Sequence, residues 1–251
     1  RRRRGRGGNP REWIWMLGVI MLARQIGRAD SARALIRKGN AAFAAGKFND
    51  AMAAYEEADV EAPDSPIVEF NKGAVLYRQE NMAAAREAFE TAAVDAPDAN
   101  FEAKCRYNVG NCWFHEAQRQ RDSDPTKALE ACEKAIDSYR AATALDADFV
   151  AAKRNIEIAR MLWKSIVDEQ RKKQEQQKQQ QQLAEELEKL AQRQKKAADQ
   201  GAQLAEKARS EGASKEVADQ SRQQADAQQQ LQHDTEKVAR KLEESLGEGH
   251  C

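Results

Sequence analysis

The sequence predicts an all-α fold: a solenoid of helical hairpins followed by long coiled-coil-like helices. Three observations support it. A residue pattern recurs after 34 residues in the first half of the chain, and such a period is typical of repeat architectures. All five prolines precede residue 126, so none interrupts a helix downstream. The second half is rich in Gln, Lys and Glu, which favour helix, and the chain has no strand pattern.

Residues 1–29 form the first segment, with a basic start followed by the apolar run "WIWMLGVIMLA" and then Gly27-Arg28-Ala29. This layout is typical of a secretory signal peptide, and the run is shorter than the roughly 20 residues of a membrane span. A retained membrane anchor and a basic extension are the alternatives. Either a signal peptide or an anchor predicts a periplasmic or inner-membrane-associated protein.

Residues 32–65 and 66–99 are the first two repeats. In each hairpin, two small residues allow the helices to cross closely, an aromatic residue fills the space towards the next hairpin, and a proline ends the second helix. The matching residues are Gly39, Ala51, Tyr55, Ala58 and Pro63 in the first repeat and Gly73, Ala85, Phe89, Ala92 and Pro97 in the second.

Residues 103–147 are the third repeat, which carries an insertion. Its pattern begins at Gly110, and the stretch "QRQRDSDP" near residues 118–125 displaces the second helix. The sequence leaves open whether this insertion adds a specific contact or none. The pattern then resumes at Ala135, Tyr139 and Ala142. A capping helix is predicted over residues 148–163, because the last hairpin of a solenoid otherwise exposes its apolar side.

These spacings resemble those of the tetratricopeptide repeat, which places Gly or Ala, Ala, an aromatic residue, Ala and Pro at the same positions. The resemblance implies that residues 30–163 are stacked tetratricopeptide hairpins. In such a stack the first helix of each hairpin lines a concave surface, which is the usual binding surface of these solenoids.

Residues 164–251 are a Gln/Lys/Glu-rich helical tail with a turn predicted near residues 210–214. Its apolar residues follow a weak heptad spacing. An antiparallel helical hairpin is the first interpretation, and a long helix that self-associates is the second. A solvated, partly disordered helix is the third, because Ala and Gln bury little apolar area. The spaced residues are Leu183, Leu187, Leu190, Ala197, Leu204 and Ala208, then Val217, Leu231, Val238 and Leu242.

The order of these segments, with "AAKRNIEIARML" before a Gln-rich tail, resembles proteins of the Bat (Bacteroides aerotolerance) group. In that group the repeats accompany or are fused to von Willebrand factor A domains. This chain contains no such domain. The resemblance therefore implies an adaptor of an envelope assembly whose partners are membrane proteins with von Willebrand factor A domains.

Asparagines recur along the predicted first helices, although asparagine is a poor helix former. An asparagine amide offers two donors and an acceptor, which suit the backbone of an extended peptide. The sequence therefore predicts a partner-peptide-binding face. In the alternative, these side chains bond to neighbouring helices and hold the repeat angle. The predicted contact residues are Asn40, Asn71, Lys104, Asn108, Asn111 and Asn155.

The dicarboxylate-clamp branch of the tetratricopeptide family grips the C-terminal carboxylate of heat-shock chaperones with Lys and Asn, then Asn, then Lys and Arg. The resemblance places Asn40, Asn71 and Lys104 at matching positions. Ile36 replaces the first Lys and Asn108 replaces the Arg. Two of three cations are missing, and these carry most of the attraction for a carboxylate, so a clamp role is disfavoured.

The four cysteines form no C-x-x-C pair, so zinc and thioredoxin-like sites have no support. Cys105, Cys112 and Cys132 are predicted to be buried, unreactive thiols. A disulfide from Cys132 to one of the other two is the alternative. Cys251 is predicted to be an exposed tail residue.

The remaining composition excludes several classes of function. Basic and acidic side chains balance at 41 each, which excludes the basic surplus of a nucleic-acid-binding protein. The three histidines have no partner at motif spacing, and no phosphate loop follows a strand. The sequence therefore predicts a non-enzymatic adaptor of the bacterial envelope, without cofactor or metal. A structural protein that self-associates through its tail, and a clamp-type co-chaperone, are the alternatives.

Overall fold

The computed structural model of the chain describes residues 28–212 and 214–247. The apolar run of the predicted signal or anchor, and Cys251, lie outside these residues. The described residues form eight α-helices joined by loops of three or four residues. No helix within them is both long and apolar enough to cross a membrane.

The helices α1 to α6 form three successive hairpins, and this confirms the predicted all-α helical-hairpin solenoid. Helices α2 and α4 end shortly before Pro63 and Pro97, as the two prolines predict. The bounds are residues 28–44 for α1, Phe48–Glu61 for α2, Pro66–Arg78 for α3, Met82–Val94 for α4, Ala99–Gln120 for α5 and Pro125–Leu145 for α6.

Each hairpin closes through an aromatic ring of its second helix that packs on a glycine of its first helix. A β-carbon built on that glycine would come within 3 Å of the ring, a distance that side chains do not tolerate without displacing the ring. The small residue is therefore required for the crossing. The distances from such a β-carbon to the ring are 2.4 Å for Gly39 and Tyr55, 2.9 Å for Gly73 and Phe89, and 2.6 Å for Gly110 and Tyr139.

The insertion near residues 118–125 lengthens both helices of the third hairpin instead of forming a long loop. Helix α5 has 22 residues and α6 has 21, whereas α3 and α4 have 13 each. The added turns have their own apolar core, and α7 contributes Ile166 to it. The other buried members of this core are Ala117, Ala128, Ala131 and Cys132.

Helix α7 spans Val150–Glu211 without a break at residue 164. The chain divides into two compact units between Asp168 and Glu169, so the beginning of α7 belongs to the first unit. There it packs against the third hairpin and covers its apolar side. The buried residues of this contact are Ala152, Ile156 and Ala159 from α7 and Ala135, Ile136, Tyr139 and Ala142 from α6.

Helix α7 has a charged residue where the earlier first helices have their crossing glycine. Asn71 and Asn108 are each followed two residues later by glycine, whereas Asn155 is followed by Glu157. Glu157 is exposed and forms an ion pair with Arg160. A glutamate leaves no space for the aromatic ring of a fourth hairpin, so the stack of hairpins ends at α7.

In the second unit, the rest of α7 lies antiparallel to α8, which spans Lys215–Gly247. This is the arrangement of the helical-hairpin interpretation. The core is narrow: Leu190, Leu231 and Val238 are buried, with Leu183, Ala197 and Leu242 packed against them. Ion pairs link the helices, among them Arg193–Asp234 at 2.6 Å, Lys241–Glu186 at 2.7 Å and Lys207–Glu216 at 2.9 Å.

Cys105, Cys112 and Cys132 are buried free thiols, and this confirms the first interpretation of the cysteines. Burial raises the pKa of Cys105 and Cys112 to about 12 and that of Cys132 to about 11. The thiolate is the reactive form of cysteine. Because it is scarce at neutral pH, these thiols are poor nucleophiles.

Candidate peptide-binding face

The predicted asparagines of the first and third hairpins accept hydrogen bonds from tyrosines. The Tyr55 hydroxyl donates to Asn40 Oδ1 at 2.6 Å, and the Tyr139 hydroxyl donates to Asn111 Oδ1 at 2.9 Å. Burial raises the pKa of both phenols, so each hydroxyl keeps its proton and remains a donor.

The second hairpin lacks both members of this pair. Ala74 follows Gly73 where asparagine follows Gly39 and Gly110, and Phe89 has no hydroxyl. Asparagine and tyrosine therefore occur together or not at all. An unpartnered hydroxyl in a core is costly, which explains why the two residue types change together. At these two positions the geometry favours a role in holding the hairpin.

A hydrogen-bond network joins α5, α6 and α7 around Asn111. Asn155 Nδ2 donates to Asn111 Oδ1 and to the Tyr107 hydroxyl, both at 3.2 Å. Asn111 Nδ2 donates to Asn108 Oδ1 at 3.3 Å. Asn108 in turn donates to the backbone carbonyl of Lys104 at 3.0 Å. Three predicted contact residues, Asn108, Asn111 and Asn155, are thus joined by hydrogen bonds between their side-chain amides.

Asn71 and Lys104 differ from the other predicted residues, because their side chains have no hydrogen bond or ion pair within the described part of the chain. Asn71 is half-buried on α3, and Lys104 is exposed on α5. They lie on the first helices of adjacent hairpins. We name Asn71, Lys104, Asn108, Asn111 and Asn155 together the asparagine face.

Two residues of this region escaped the sequence analysis. Tyr107 accepts the hydrogen bond from Asn155 and packs against Tyr139 and Phe149, with ring centroids 5.6 and 4.9 Å apart. His115 has a buried Nδ1 without a partner among the described residues. The signal for His115 was present: it follows Asn108 by seven residues and Asn111 by four, which places all three on one helical face.

The clamp pattern is incomplete in the structure as well as in the sequence. Ile36 packs against the apolar cluster that contains Ala51 and Tyr55, so an apolar side chain lies where the clamp has its first lysine. Asn108 bonds its own helix backbone and carries no charge. Lys104 is the remaining cation of the three.

A protein-bound metal ion requires several ligand side chains placed around one point. No group of three or more His, Cys, Asp or Glu side chains in residues 28–212 and 214–247 is placed to hold a metal ion. The three thiols are buried with raised pKa values. The chemistry available on the asparagine face is hydrogen bonding and one positive charge.

No protein-family model and no curated protein matches the chain. Several solved structures are similar to it. The first tetratricopeptide domain of human RPAP3 has a TM-score of 0.45 and 20% identity, covering 55% of this chain and 96% of that one. The first such domain of Spaghetti (RPAP3), bound to the HSP90 peptide SRMEEVD, has a TM-score of 0.44 and 20% identity, covering 53% and 94%.

The Sgt2 domain from Aspergillus fumigatus has a TM-score of 0.40 and 27% identity, covering 56% of this chain and 82% of that one. The 34-residue period and the glycine–aromatic crossings of the chain itself define the fold of the first unit. The first unit is a tetratricopeptide-type solenoid. Its hairpins leave the first helices available as a binding surface.

Proposed function

We propose that this protein is a non-enzymatic interaction adaptor that binds an extended peptide of a partner across its asparagine face. The observation that carries the proposal is the unengaged pair Asn71 and Lys104. An amide satisfies both the N–H and the C=O of a peptide backbone. The Lys104 ammonium, on the first helix of the next hairpin, attracts an acidic side chain or a terminal carboxylate.

The other members of the asparagine face have a different task in this proposal. Asn111 and Asn155 hold α5 against α7 through their mutual hydrogen bond, so they fix the shape of the surface before a partner arrives. Preorganisation of this kind lowers the entropic cost of binding. Asn71 and Lys104 then supply the direct contacts.

Affinity capture from native-cell extract tests this proposal. We expect the wild-type protein to retain a partner and an Asn71→Ala/Lys104→Ala variant to retain at least tenfold less, which corresponds to about 1.4 kcal/mol. Glu56→Ala/Glu87→Ala, at exposed positions of α2 and α4, is the matched control. Melting curves check that both variants fold. Equal recovery by wild type and the Asn71→Ala/Lys104→Ala variant would contradict the proposal.

The envelope location and the von Willebrand factor A partners are finer parts of the same proposal. They are supported by the sequence alone, through the signal-like start and the Bat-like order of segments. Capture is therefore run separately on membrane, periplasmic and cytoplasmic fractions. A partner recovered from the cytoplasmic fraction only would set aside the envelope role and leave the peptide-binding role intact.

A second candidate function is self-association through the tail. On α7 an exposed row of apolar residues lies beside the core, and α8 has exposed alanines one residue after its core positions. Equivalent rows on two antiparallel helices lie on the same side of the hairpin, so they form one face of small residues. The rows are Ala184, Leu187, Ala191, Ala198 and Ala205 on α7, and Ala218, Ala225 and Ala239 on α8.

Sedimentation equilibrium of the full chain tests this second function. The proposal expects a mass of twice 28.1 kDa for the wild type and a monomer for Ala191→Glu/Ala225→Glu, because two charges would be buried in the contact. Gln203→Glu/Gln223→Glu adds the same charge on the opposite helical face and should leave the dimer intact. If the wild type has the mass of a monomer both at the starting concentration and after 100-fold dilution, self-association is excluded.

A further inference from the structure

The first hairpin binds an arginine at its open end, where its first helix begins and its second helix ends. Arg28 Nη2 donates to the Val60 carbonyl at 3.0 Å, and Arg28 Nε lies 3.4 Å from the Glu61 carboxylate. The last carbonyls of a helix lack intrahelical partners and carry the negative end of its dipole. The last turn of α2 therefore holds a guanidinium by two kinds of acceptor.

The open end of the second hairpin repeats these acceptors. Val94 and Asp95 follow Val60 and Glu61 by 34 residues. A cavity of about 170 Å³ opens at this point. The residues that line it include Thr91 and Asp95 at the end of α4, Glu69 in the first turn of α3, and Asp59 and Asp64 from the preceding segment.

No arginine within residues 28–212 and 214–247 lines this cavity. Ala62 lies 34 residues after Arg28, so it occupies relative to the second hairpin the position that Arg28 has relative to the first. Lys72 reaches Asp59 at 3.4 Å and Glu69 at 2.6 Å. Burial alone would lower the pKa of Lys72, but the hydrogen bond and charge of Glu69, with the charge of Asp59, raise it.

Two carboxylates remain without a partner at the cavity. Asp64 and Asp95 make no ion pair or side-chain hydrogen bond within the part of the chain that the structure describes. Of the four carboxylates that line the cavity, Asp59 and Glu69 pair with the Lys72 ammonium, and Asp64 and Asp95 do not. The cavity keeps an excess of negative charge that a cation would neutralise.

Three exposed apolar residues are the chain neighbours of residues that line the cavity. They are Val60, Ile67 and Val94, which are large apolar residues left in solvent. Val60 and Val94 occupy the same position of successive repeats. Apolar side chains exposed together beside unpaired polar groups are typical of a protein-interaction surface.

We propose that this cavity binds an arginine side chain of a partner protein, next to an apolar residue of the same segment. A planar guanidinium provides five donors that suit two carboxylates and a helix C-terminus together. Its apolar stem lies along Pro63 and Pro66, which also line the cavity. The site shares no residue with the asparagine face, so its failure would leave the proposed function standing.

Titration of the ¹⁵N-labelled full chain with acetyl-leucyl-arginine amide tests this site by NMR. We expect saturable shifts confined to the backbone amides around Glu69, Thr91 and Asp95. The citrulline analogue, which has the same shape without the charge, and the lysine analogue should each bind at least fivefold more weakly. Equal shifts from the citrulline or the lysine analogue, or no shifts at 20 mM arginine probe, would overturn the proposal.

A charge variant gives the second arm of the test. Asp64→Asn/Asp95→Asn should weaken binding of the arginine probe at least fivefold, and asparagine tolerates the positive φ of 60° at position 64. Glu87→Gln/Glu130→Gln removes the same charge at exposed positions of α4 and α6 and should leave binding unchanged. Equal weakening by both variants would show a diffuse acidic surface and overturn the assignment.

Discussion

Replacing Tyr139 with alanine should lower the free energy of unfolding by about 3–5 kcal/mol. The ring is fully buried, it packs on Gly110, and its hydroxyl donates to Asn111. The substitution therefore opens a cavity and also removes a donor from the network that joins α5, α6 and α7. Urea unfolding followed by circular dichroism and tryptophan fluorescence measures the change.

Two phenylalanine variants separate the ring from the hydroxyl. Tyr139→Phe keeps the packing and should cost about 1 kcal/mol, because one hydrogen bond to Asn111 is lost. Tyr55→Phe should cost less, since Asn40 is exposed and water replaces the hydroxyl. Two results would contradict this account of the hairpins. In the first, Tyr139→Phe lowers the free energy of unfolding as much as Tyr139→Ala does. In the second, Tyr55→Phe lowers it more than Tyr139→Phe does.

Replacing Ile166 with alanine should lower the free energy of unfolding by about 2–5 kcal/mol. Ile166 is 1% exposed and packs into the core that the lengthened third hairpin creates. The expected loss therefore measures how firmly α7 is anchored on the residues added by the insertion. Urea unfolding followed by circular dichroism measures this change in the free energy of unfolding.

Met161→Ala is the matched control on the same helix. Met161 is 64% exposed, so its truncation should change the free energy of unfolding by no more than about 0.5 kcal/mol. If the two variants were equally stable, the insertion would not anchor α7, and its extra turns would be without a packing role.

The repeats could be predicted from sequence because their signals are local. Glycine, the paired alanines, the aromatic residue and proline recur at one spacing, and each has a single steric task in the hairpin. Gly110 and Tyr139 were therefore assigned correctly even though an insertion separates them. The narrow core of the tail was likewise visible in the spacing of Leu190, Leu231 and Val238.

The uses of the asparagines could not be predicted, because they depend on which helices meet. Asn111 and Asn155 are 44 residues apart and bond across α5 and α7. Asn71 has the same residue type and helix position as Asn108, yet Ala74 and Phe89 leave it without such a network. The insertion was equally ambiguous. The stretch "QRQRDSDP" has the composition of a loop, and the sequence does not show that the helical turns on either side of it pack on Ile166.

Site-specific photo-crosslinking in native cells tests most directly whether the asparagine face is the working surface. A benzoylphenylalanine residue replaces Arg37, an exposed residue of α1 that precedes Asn71 by one 34-residue repeat. In a second strain it replaces Glu87, an exposed residue of α4. We predict a crosslinked partner from position 37, none from position 87, and loss of the product when Asn71→Ala/Lys104→Ala is added. Equal products from both positions, or a product from position 37 that survives Asn71→Ala/Lys104→Ala, would contradict the proposed binding face.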